Sequence, residues 1–331
     1  MSAALRIVHA GPGVSLQDAG RWGYLRYGVT AAGPMDVLAH EAANCAAGAP
    51  PDAAAIEISV GGLELVAEDA SIGCAIVGGG FRVALDGAAL PSDCMATLAP
   101  GQRLSIRAGG SGSWAYLAPF ARVERTPILG SLSMHARSGM GGAGLLAGEA
   151  LALADLWEGP ATPRALAPVR PAGSAPLRIV AGPQSDYFDA DNFARFLEGP
   201  WRVSPRSDRM AYALEGPKIG HSKGFNIVSD GIAFGAIQIP GDGQPFVQMA
   251  DRAPTGGYPK IGTVIAADLG RLAQMRPGDA LHFSAVSVEE AVAAWKAARQ
   301  AMAVAMAQDA DLKPESLLAL NLIGGVIFAE E

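Results

Sequence analysis

Short apolar runs separated by Gly and Pro dominate the hydrophobic pattern of the chain. Segments such as 74–77 and 114–117 have the length of single strands and lie between turn-forming residues. Pro100-Gly101 and Pro277-Gly278 each precede another such run. Regularly spaced short strands favour barrels, because closing a sheet removes its exposed edges. The pattern predicts a mainly β protein with a few short helices.

Three segments have helical periodicity: residues 35–47, residues 189–197 and a segment that begins at Ser287. Ser287 and Glu290 form a predicted capping box at the start of the third helix. Its predicted apolar stripe is Val288, Val292, Trp295 and Met302. Residues 317–328 are also strongly apolar, and we expect them to be buried against their own domain or a neighbour.

The sequence indicates an internal duplication. Residues 5–12 return as residues 177–183, and residues 98–106 return as residues 275–283, in the same order. A Pro-, Ala- and Gly-rich stretch separates the copies. We therefore predict a first barrel domain at 1–156, a linker at 157–176, a second barrel domain with a C-terminal helix at 177–308, and an apolar tail at 309–331.

Composition restricts the classes of function. The 331 residues include 25 basic and 32 acidic side chains, giving a net charge of −7 without a basic stripe. This balance argues against a nucleic-acid partner. The chain start lacks a signal-peptide pattern, and no window reaches the roughly 18 apolar residues of a membrane span. We expect a cytoplasmic protein whose partners are small molecules and other proteins.

Several common motifs are missing or incomplete. Cys45, Cys74 and Cys94 are widely spaced, which predicts packed thiols and no disulfide framework or metal site. Residues 139–144 match G-x-G-x-x-G, but no strand precedes them. The chain lacks a Walker A lysine, a G-x-S-x-G elbow and an H-E-x-x-H motif. The five histidines are scattered and fit surface or satisfied polar positions better than ligands.

Two similar charged motifs mark candidate sites. Asp18 and Arg21 precede a tyrosine in the first copy, as Asp208 and Arg209 do in the second. A carboxylate can orient a neighbouring guanidinium, and an arginine so held can bind a carboxylate or carboxamide. An intrachain ion pair that fastens a barrel loop is an equally good interpretation.

The segment from Asp251 to Lys260 combines opposite charges with a Thr-Gly-Gly-Tyr-Pro turn. Paired glycines allow a close backbone approach, and Pro259 fixes the exit of the turn. We predict a turn that faces a small anion, with a rigid hairpin connection as the alternative. The predicted substrate-binding residues are Gln238, Thr255, Gly256, Gly257 and Tyr258.

These segments resemble the family of 5-oxoprolinase C subunits, also called allophanate hydrolase subunit 2 or biotin-dependent carboxyltransferase. The similarity runs from residue 10 to about residue 286. Its motifs lie at 17–21, 33–36, 43–44, 56–57, 116–118, 130–131, 207–210, 235–238 and 251–259.

The resemblance implies two cyclophilin-like β-barrels and two partner proteins, the B and A subunits of the same enzyme. It implies a complex that opens 5-oxo-L-proline to L-glutamate at the expense of ATP, with no cofactor held by this chain alone. Opening an unstrained lactam requires activation and proton transfer. We assign Arg21, Arg209 and Lys260 to anion stabilisation. Asp18, Asp208 and Asp251 are assigned to orientation or proton transfer.

The chain departs from the family at several positions. Leu132, Leu145 and Ala213 stand where the family usually has arginine, and residues 120–123 replace an expected Gly-Gly pair. Two alternatives therefore remain beside the 5-oxoprolinase prediction. One is a component of a carboxyltransferase or an allophanate-hydrolase-type enzyme that uses biotin and a urea-derived substrate. The other is a non-catalytic regulatory partner of a protein like the B subunit of 5-oxoprolinase.

Overall fold

A computed structural model describes residues 3–170, 173 and 175–309. It confirms the mainly β class. The N-terminal half builds two antiparallel sheets. The first contains, in spatial order, β11 (Arg122–Val123), β12 (Ala150–Ala154), β1 (Ala3–Ala10), β4 (Leu63–Ala67), β9 (Arg103–Arg107), β6 (Arg82–Leu85) and β7 (Ala88–Leu90).

The second N-terminal sheet carries residues of the candidate site. It contains, in spatial order, β13 (Arg164–Ala165), β8 (Cys94–Leu98), β5 (Ile72–Gly78), β10 (Trp114–Pro119), β3 (Ala55–Ser59) and β2 (Ser15–Gln17). Its central strands β5, β10 and β3 are buried almost throughout, because α1 covers one face and the first sheet packs on the other. Strand β13 lies inside the predicted linker, so that segment pairs with the N-terminal half.

The C-terminal half forms a nearly closed barrel sheet. In spatial order it contains β22 (Ala280–Leu281), β15 (Trp201–Val203), β16 (Ala211–Glu215), β19 (Phe246–Gln248), β18 (Ala236–Gln238), β21 (Lys260–Val264), β14 (Leu177–Ala181) and β23 (Phe283–Ala285). The two edge strands, β22 and β23, are separated by one residue in the chain. A small ribbon joins β17 (Asp230–Gly231) to β20 (Thr255–Gly256).

Each of the three predicted helices is present. Helix α1 (Val37–Ala46) begins after Asp36, whose carboxylate accepts from the amide of Ala39. Helix α2 (Ala190–Glu198) is capped by Asp189, and the Ser287–Glu290 capping box precedes α4 (Val288–Asp309). A further helix, α3 (Ala266–Ala273), was not predicted. None of the described helices is both long and apolar enough to cross a membrane.

The predicted stripe of α4 was wrong in its first half. Val288 and Val292 are exposed, whereas Met302 is buried together with Ala303 and Met306. Only the C-terminal part of α4 contributes to the apolar core, so the first turns point apolar residues at solvent. The apolar segment 317–328 lies outside the described residues.

The two halves share an apolar core. One cluster of buried residues includes Met35 and Tyr116 from the N-terminal half and Trp201 and Ile237 from the C-terminal half. A second cluster lies entirely within the N-terminal half. Continuous apolar packing across the boundary fixes the relative position of charged groups that the two halves contribute to one site.

The two segment pairs behind the predicted duplication have different sheet neighbours. Strands β1 and β14 both form as predicted, and each is paired on both sides. However, β9 after Pro100-Gly101 pairs with β4 and β6, whereas Pro277-Gly278 is followed by two short strands, β22, which pairs with β15, and β23, which pairs in parallel with β14. The domain division remains a prediction.

Candidate functional site

A buried ion-pair cluster joins the two halves of the molecule. Arg209 Nη1 contacts Glu57, and its Nε and Nη2 bind both oxygens of Asp251 at 3.1 and 2.8 Å. Nη2 also donates to the carbonyl of Gly33 at 2.8 Å. Arg209 is 7% exposed, Glu57 0% and Asp251 2%. Two buried carboxylates therefore surround one buried guanidinium.

Strand pairing places the two acidic partners of Arg209. Glu57 in β3 lies directly opposite Tyr116 in β10, and the Tyr116 hydroxyl donates to Glu57 Oε2 at 2.8 Å. The Asp251 amide donates to the carbonyl of Arg209 at 2.8 Å, which extends the β16–β19 ladder. The guanidinium and the Asp251 carboxylate therefore start from paired backbone positions.

The surroundings fix the protonation states of Arg209 and Tyr116. Burial lowers the pKa of Arg209, but the carboxylates of Glu57 and Asp251 raise it by more, so the guanidinium is held as a cation. Burial and the nearby Glu57 raise the pKa of Tyr116 well above its usual value. Tyr116 is therefore a neutral donor to Glu57 while its oxygen accepts from the amide of Asp36 at 2.8 Å.

A cleft of about 240 Å³ opens beside this cluster. Segments 28–30 and 135–140 of the N-terminal half form one wall, and Met210 with residues 251–254 forms the other. Pockets for drug-sized ligands span roughly 300–1,000 Å³, so this cleft suits a smaller, metabolite-sized molecule. Its position between the halves means that neither half could form it alone.

One wall of the cleft carries a buried arginine without an ion pair. Arg252 is 3% exposed, and among the described residues it has no salt-bridge partner. Its Nε donates to the carbonyl of Ile232 at 3.0 Å, and its guanidinium lies over the ring of Phe234 at 5.5 Å. Burial lowers its pKa to about 10, so it is still a cation at neutral pH.

The opposite wall carries polar groups of a different kind. His135 is 9% exposed, and its Nδ1 lies 2.7 Å from Ser138 Oγ while its Nε2 lies 3.3 Å from the carbonyl of Asp251. Thr30 is 5% exposed, and its hydroxyl has no hydrogen-bond partner among the described residues. The residues that line the cleft thus include a cation, an imidazole and a threonine whose hydroxyl is buried.

Asp18 and Arg21 lie together, but they do not form the predicted hydrogen-bonded pair. The carboxylate of Asp18 accepts from Ser131 Oγ and Ser133 Oγ at 2.6 Å each and from the amide of Leu132 at 2.6 Å. Arg21 is 1% exposed, and it donates to the carbonyls of Ile128 at 2.9 Å and Ser133 at 2.8 Å. Both side chains fasten the segment 128–133.

Asp208 and Lys260 lie apart from the ion-pair cluster. The carboxylate of Asp208 accepts from the amides of Met210 and Ala211 at 2.7 and 3.2 Å in an exposed turn. Lys260 Nζ binds Asp230 Oδ2 at 2.7 Å and the carbonyl of Gly231 at 3.2 Å. Among the described residues, Lys260 and Arg209 share no hydrogen-bond partner.

The predicted substrate-binding turn is tied to the C-terminal barrel. Thr255 and Gly256 pair with β17. The carbonyl of Gly257 accepts from the amide of Ile227 at 2.9 Å. Gln238 is buried and accepts from Gln248 Nε2 at 2.8 Å, whereas Tyr258 is 41% exposed. Of the predicted site residues, Asp251 alone lines the described cleft, with Arg209 directly behind it.

The positions where the chain lacks an arginine that the family usually has lie mainly in apolar surroundings. Leu145 is buried in the N-terminal core, and Leu132 packs against it. Ala213 is buried in β16. These three side chains do not line the cleft, so their replacement of arginine leaves the Arg252 wall unchanged.

Sequence reasoning missed Thr30 and His135 and gave Arg252 no role. His135 was expected to be a surface or satisfied polar residue, and it is indeed buried with partners at both ring nitrogens, but its place in the lining of the cleft was not predicted. The Asp251-Arg252 pair was a usable signal, because adjacent opposite charges in an apolar segment imply that one side chain has another partner. Thr30 offered no comparable signal, since its position depends on how the two halves pack.

Comparison with known proteins identifies relatives along most of the chain. The family model for the carboxyltransferase domain, subdomains A and B, matches residues 27–285. The chain is 33% identical to the C subunit of 5-oxoprolinase from Escherichia coli K12 over 298 residues, which is 88% of this chain and 94% of that protein. It is 34% identical to the protein of the same name from Haemophilus influenzae, over 84% of this chain and 89% of that one.

Solved structures give the same result. TTHA0988 superposes with a TM-score of 0.77 and 33% identity over 85% of this chain, which spans 55% of that longer chain. The urea amidolyase of Kluyveromyces lactis superposes with a TM-score of 0.83 and 26% identity over 90% of this chain and 20% of that one. This chain therefore belongs to the family of carboxyltransferase domains, subdomains A and B.

Proposed function

We propose that this chain is the C subunit of an ATP-dependent 5-oxoprolinase. In this reaction 5-oxo-L-proline, ATP and two water molecules give L-glutamate, ADP and phosphate. The extent of the sequence match supports this proposal most strongly. The chain spans 94% and 89% of two relatives that are named as C subunits of 5-oxoprolinase, but 17% of the urea amidolyase of Saccharomyces cerevisiae.

The cleft between the halves is the proposed place for the cyclic substrate. Its size suits a small molecule, and Arg252 gives it a positive wall. The ring nitrogen of 5-oxo-L-proline must gain a proton when the C–N bond breaks. We assign this proton transfer to His135, with Ser138 at 2.7 Å to orient its ring. In this arrangement Arg209 is a positioning residue that holds Asp251 in the wall of the cleft from behind.

ATP would supply the activation of the lactam, and we assign its binding to another protein of the complex. In the described part of this chain, residues 139–144 form a loop without a following helix, which does not fit a phosphate-binding turn. We expect the purified chain alone to show no appreciable ATP hydrolysis. The names of the relatives imply a multi-subunit complex, and we propose proteins like the B and A subunits of 5-oxoprolinase as the partners.

The test is reconstitution. The chain is co-expressed with proteins encoded beside it, and glutamate and ADP are measured with and without 5-oxo-L-proline. The proposal expects the two products in equal amounts and only with the complete complex. Robust ATP hydrolysis by the purified chain, or a complete complex that leaves 5-oxo-L-proline unchanged, would contradict it. His135→Gln in the same complex should reduce glutamate formation, while Ser138→Ala should reduce it less.

A second candidate is carboxyl transfer between biotin and a urea-derived substrate. The match to the carboxyltransferase family model and the 0.83 TM-score with a urea amidolyase favour it. Biotin would be carried by another protein. A complex that fails with 5-oxo-L-proline but forms a carboxylated urea product with a biotinylated carrier would support this candidate. A stable complex with neither activity would support the regulatory alternative.

A further inference from the structure

We propose that Arg252, assisted by Thr30, binds the carboxylate group of a small organic acid at the wall of the cleft. The acid is held by hydrogen bonds from the guanidinium Nη2 to its carboxylate. This inference rests on the proposed function only for the identity of the acid, which would then be 5-oxo-L-proline.

The fold holds the guanidinium of Arg252 on several sides. Nε donates to the carbonyl of Ile232 at 3.0 Å, Nη1 lies 3.5 Å from the carbonyl of Met249, and Phe234 covers one face. Nη2 has no hydrogen-bond partner among the described residues. A donor fixed in this way loses little rotamer freedom when a ligand binds, so its hydrogen bonds contribute efficiently to affinity.

Among the described residues, no carboxylate is hydrogen-bonded to Arg252 or forms an ion pair with it, although the charge of the adjacent Asp251 raises its pKa. The adjacent Asp251 has both carboxylate oxygens bound by Arg209, at 2.8 and 3.1 Å. The other charged side chain that lines the cleft, Arg137, is also a cation. A buried charge without a partner is unfavourable, and an anion entering the cleft would remove that penalty. The electrostatics therefore select an anionic ligand.

Thr30 supplies a second, independent indication that a ligand binds in the cleft. Its hydroxyl is buried beside the cleft without a hydrogen-bond partner among the described residues, which is uncommon for a polar atom in a folded protein. A rotation of about 120° about χ1 moves the hydroxyl of threonine into the position that the methyl group held. After this rotation, a carboxylate bound to Arg252 would provide the missing acceptor.

Two methionines allow the binding to be located. Met140 and Met210 line the cleft from opposite halves, and Met95 is buried in the core. The full chain labelled with ¹³C at the methionine methyl groups is titrated separately with 5-oxo-L-proline, acetate and 2-pyrrolidinone, the last of which lacks a carboxylate. We expect the two acids to shift the signals of Met140 and Met210 and to leave that of Met95 in place. We expect 2-pyrrolidinone to bind at least tenfold more weakly than 5-oxo-L-proline.

Variants test the assigned residues. Arg252→Gln should weaken 5-oxo-L-proline binding roughly 10- to 100-fold, since it removes a charge-assisted hydrogen bond. Thr30→Val should weaken it about 2- to 10-fold, as expected for one neutral hydrogen bond. Arg82→Gln is the matched control, because the guanidinium of Arg82 also donates to a carbonyl, that of Ala108, but Arg82 is exposed and does not line the cleft. An unchanged Met95 signal verifies that each variant is folded.

The outcomes separate this inference from the proposed function. Acetate binding that depends on Arg252, in a protein whose complex does not turn over 5-oxo-L-proline, supports the carboxylate site and contradicts the 5-oxoprolinase assignment. Equal binding by the wild-type protein and Arg252→Gln, or cleft shifts caused equally by 2-pyrrolidinone, would overturn the inference. So would the absence of any carboxylate-dependent shift at Met140 and Met210.

Discussion

The two Asp–Arg motifs look alike in the sequence but have different environments in the structure. Arg21 is buried against main-chain carbonyls, and its Nη1 has no hydrogen-bond partner among the described residues. Arg209 is buried between the carboxylates of Glu57 and Asp251. Neither arginine bonds to the aspartate of its own motif. The partners of a buried cation are therefore set by how the elements pack, and the two sites should respond differently to mutation.

The largest effect should follow removal of Arg209. Arg209→Met leaves two buried carboxylates without their counter-charge, and breaking such a pair typically costs about 3–5 kcal/mol. Chemical denaturation of the wild-type protein and the variant measures this change in the free energy of unfolding. Arg206→Met is the matched control, because Arg206 is exposed three residues away in the same segment. A loss below about 1 kcal/mol would show that the cluster does not hold the halves together.

Arg21→Met should have a smaller effect. It leaves the carbonyls of Ile128 and Ser133 without a donor, which costs about 1–3 kcal/mol, but it strands no hydrogen-bonded carboxylate. The same denaturation experiment applies, with the exposed Arg26→Met as control. If Arg21→Met destabilised the protein as much as Arg209→Met, the contrast between the two sites would fail.

Much of the fold could be predicted from local signals. Helix α1 and helix α2 begin at aspartate caps, and α4 begins at a Ser–Glu capping box, all visible in the sequence. Helix α3 was missed because it is short and its N-cap, Ile265, makes no side-chain capping hydrogen bond. The helices that have a capping residue at their start could therefore be predicted from the sequence, and the helix without one could not.

The candidate site was less predictable, because its contacts join distant parts of the chain. Glu57 and Arg209 are 152 residues apart and meet only when the two halves pack together. The sequence motif identified Arg209 and Asp251 as important but paired Arg209 with Asp208. It could not show that Asp251 is fully engaged and that Arg252 is left without a carboxylate. Long-range pairing decides which charge is available to a ligand.

The contribution of Asp18 to the free energy of unfolding should depend on pH. Burial raises the pKa of Asp18, but hydrogen bonds from Ser131, Ser133 and the backbone lower it by more, to below the ordinary value of 3.8. The stabilisation is therefore complete above about pH 3.8 and is lost as the pH falls through the lower folded-state pKa. We expect Asp18→Asn to lower the free energy of unfolding by about 1–2 kcal/mol at neutral pH. Below about pH 3.8 the difference from the wild-type protein should become progressively smaller.

Denaturation of the wild-type protein and Asp18→Asn between pH 7 and pH 2 tests this dependence. Ser133→Ala removes one donor to Asp18 and should shift the loss of stability to higher pH. If the difference in the free energy of unfolding between the wild-type protein and Asp18→Asn stayed constant from pH 7 to pH 2, the expected pH dependence would be contradicted.

Lys260 extends the comparison to a cation whose partner remains in water. Its side chain is 3% exposed, but that of Asp230 is 51% exposed, so Lys260→Met leaves a solvated carboxylate and should cost about 0.2–1 kcal/mol. The sequence-based hypothesis instead gives Lys260 a role at the substrate, with a larger loss of turnover than of stability. Because its ammonium binds Asp230 and Gly231, we expect the affinity of the cleft for 5-oxo-L-proline to be unchanged in Lys260→Met.

Lys223→Met, which breaks an exposed pair with Asp186, is the matched control for stability. If Lys260→Met weakened ligand binding as strongly as Arg252→Gln while the two lysine variants melted alike, the active cation would be Lys260, and the binding cleft would have to extend to the turn at 255–259.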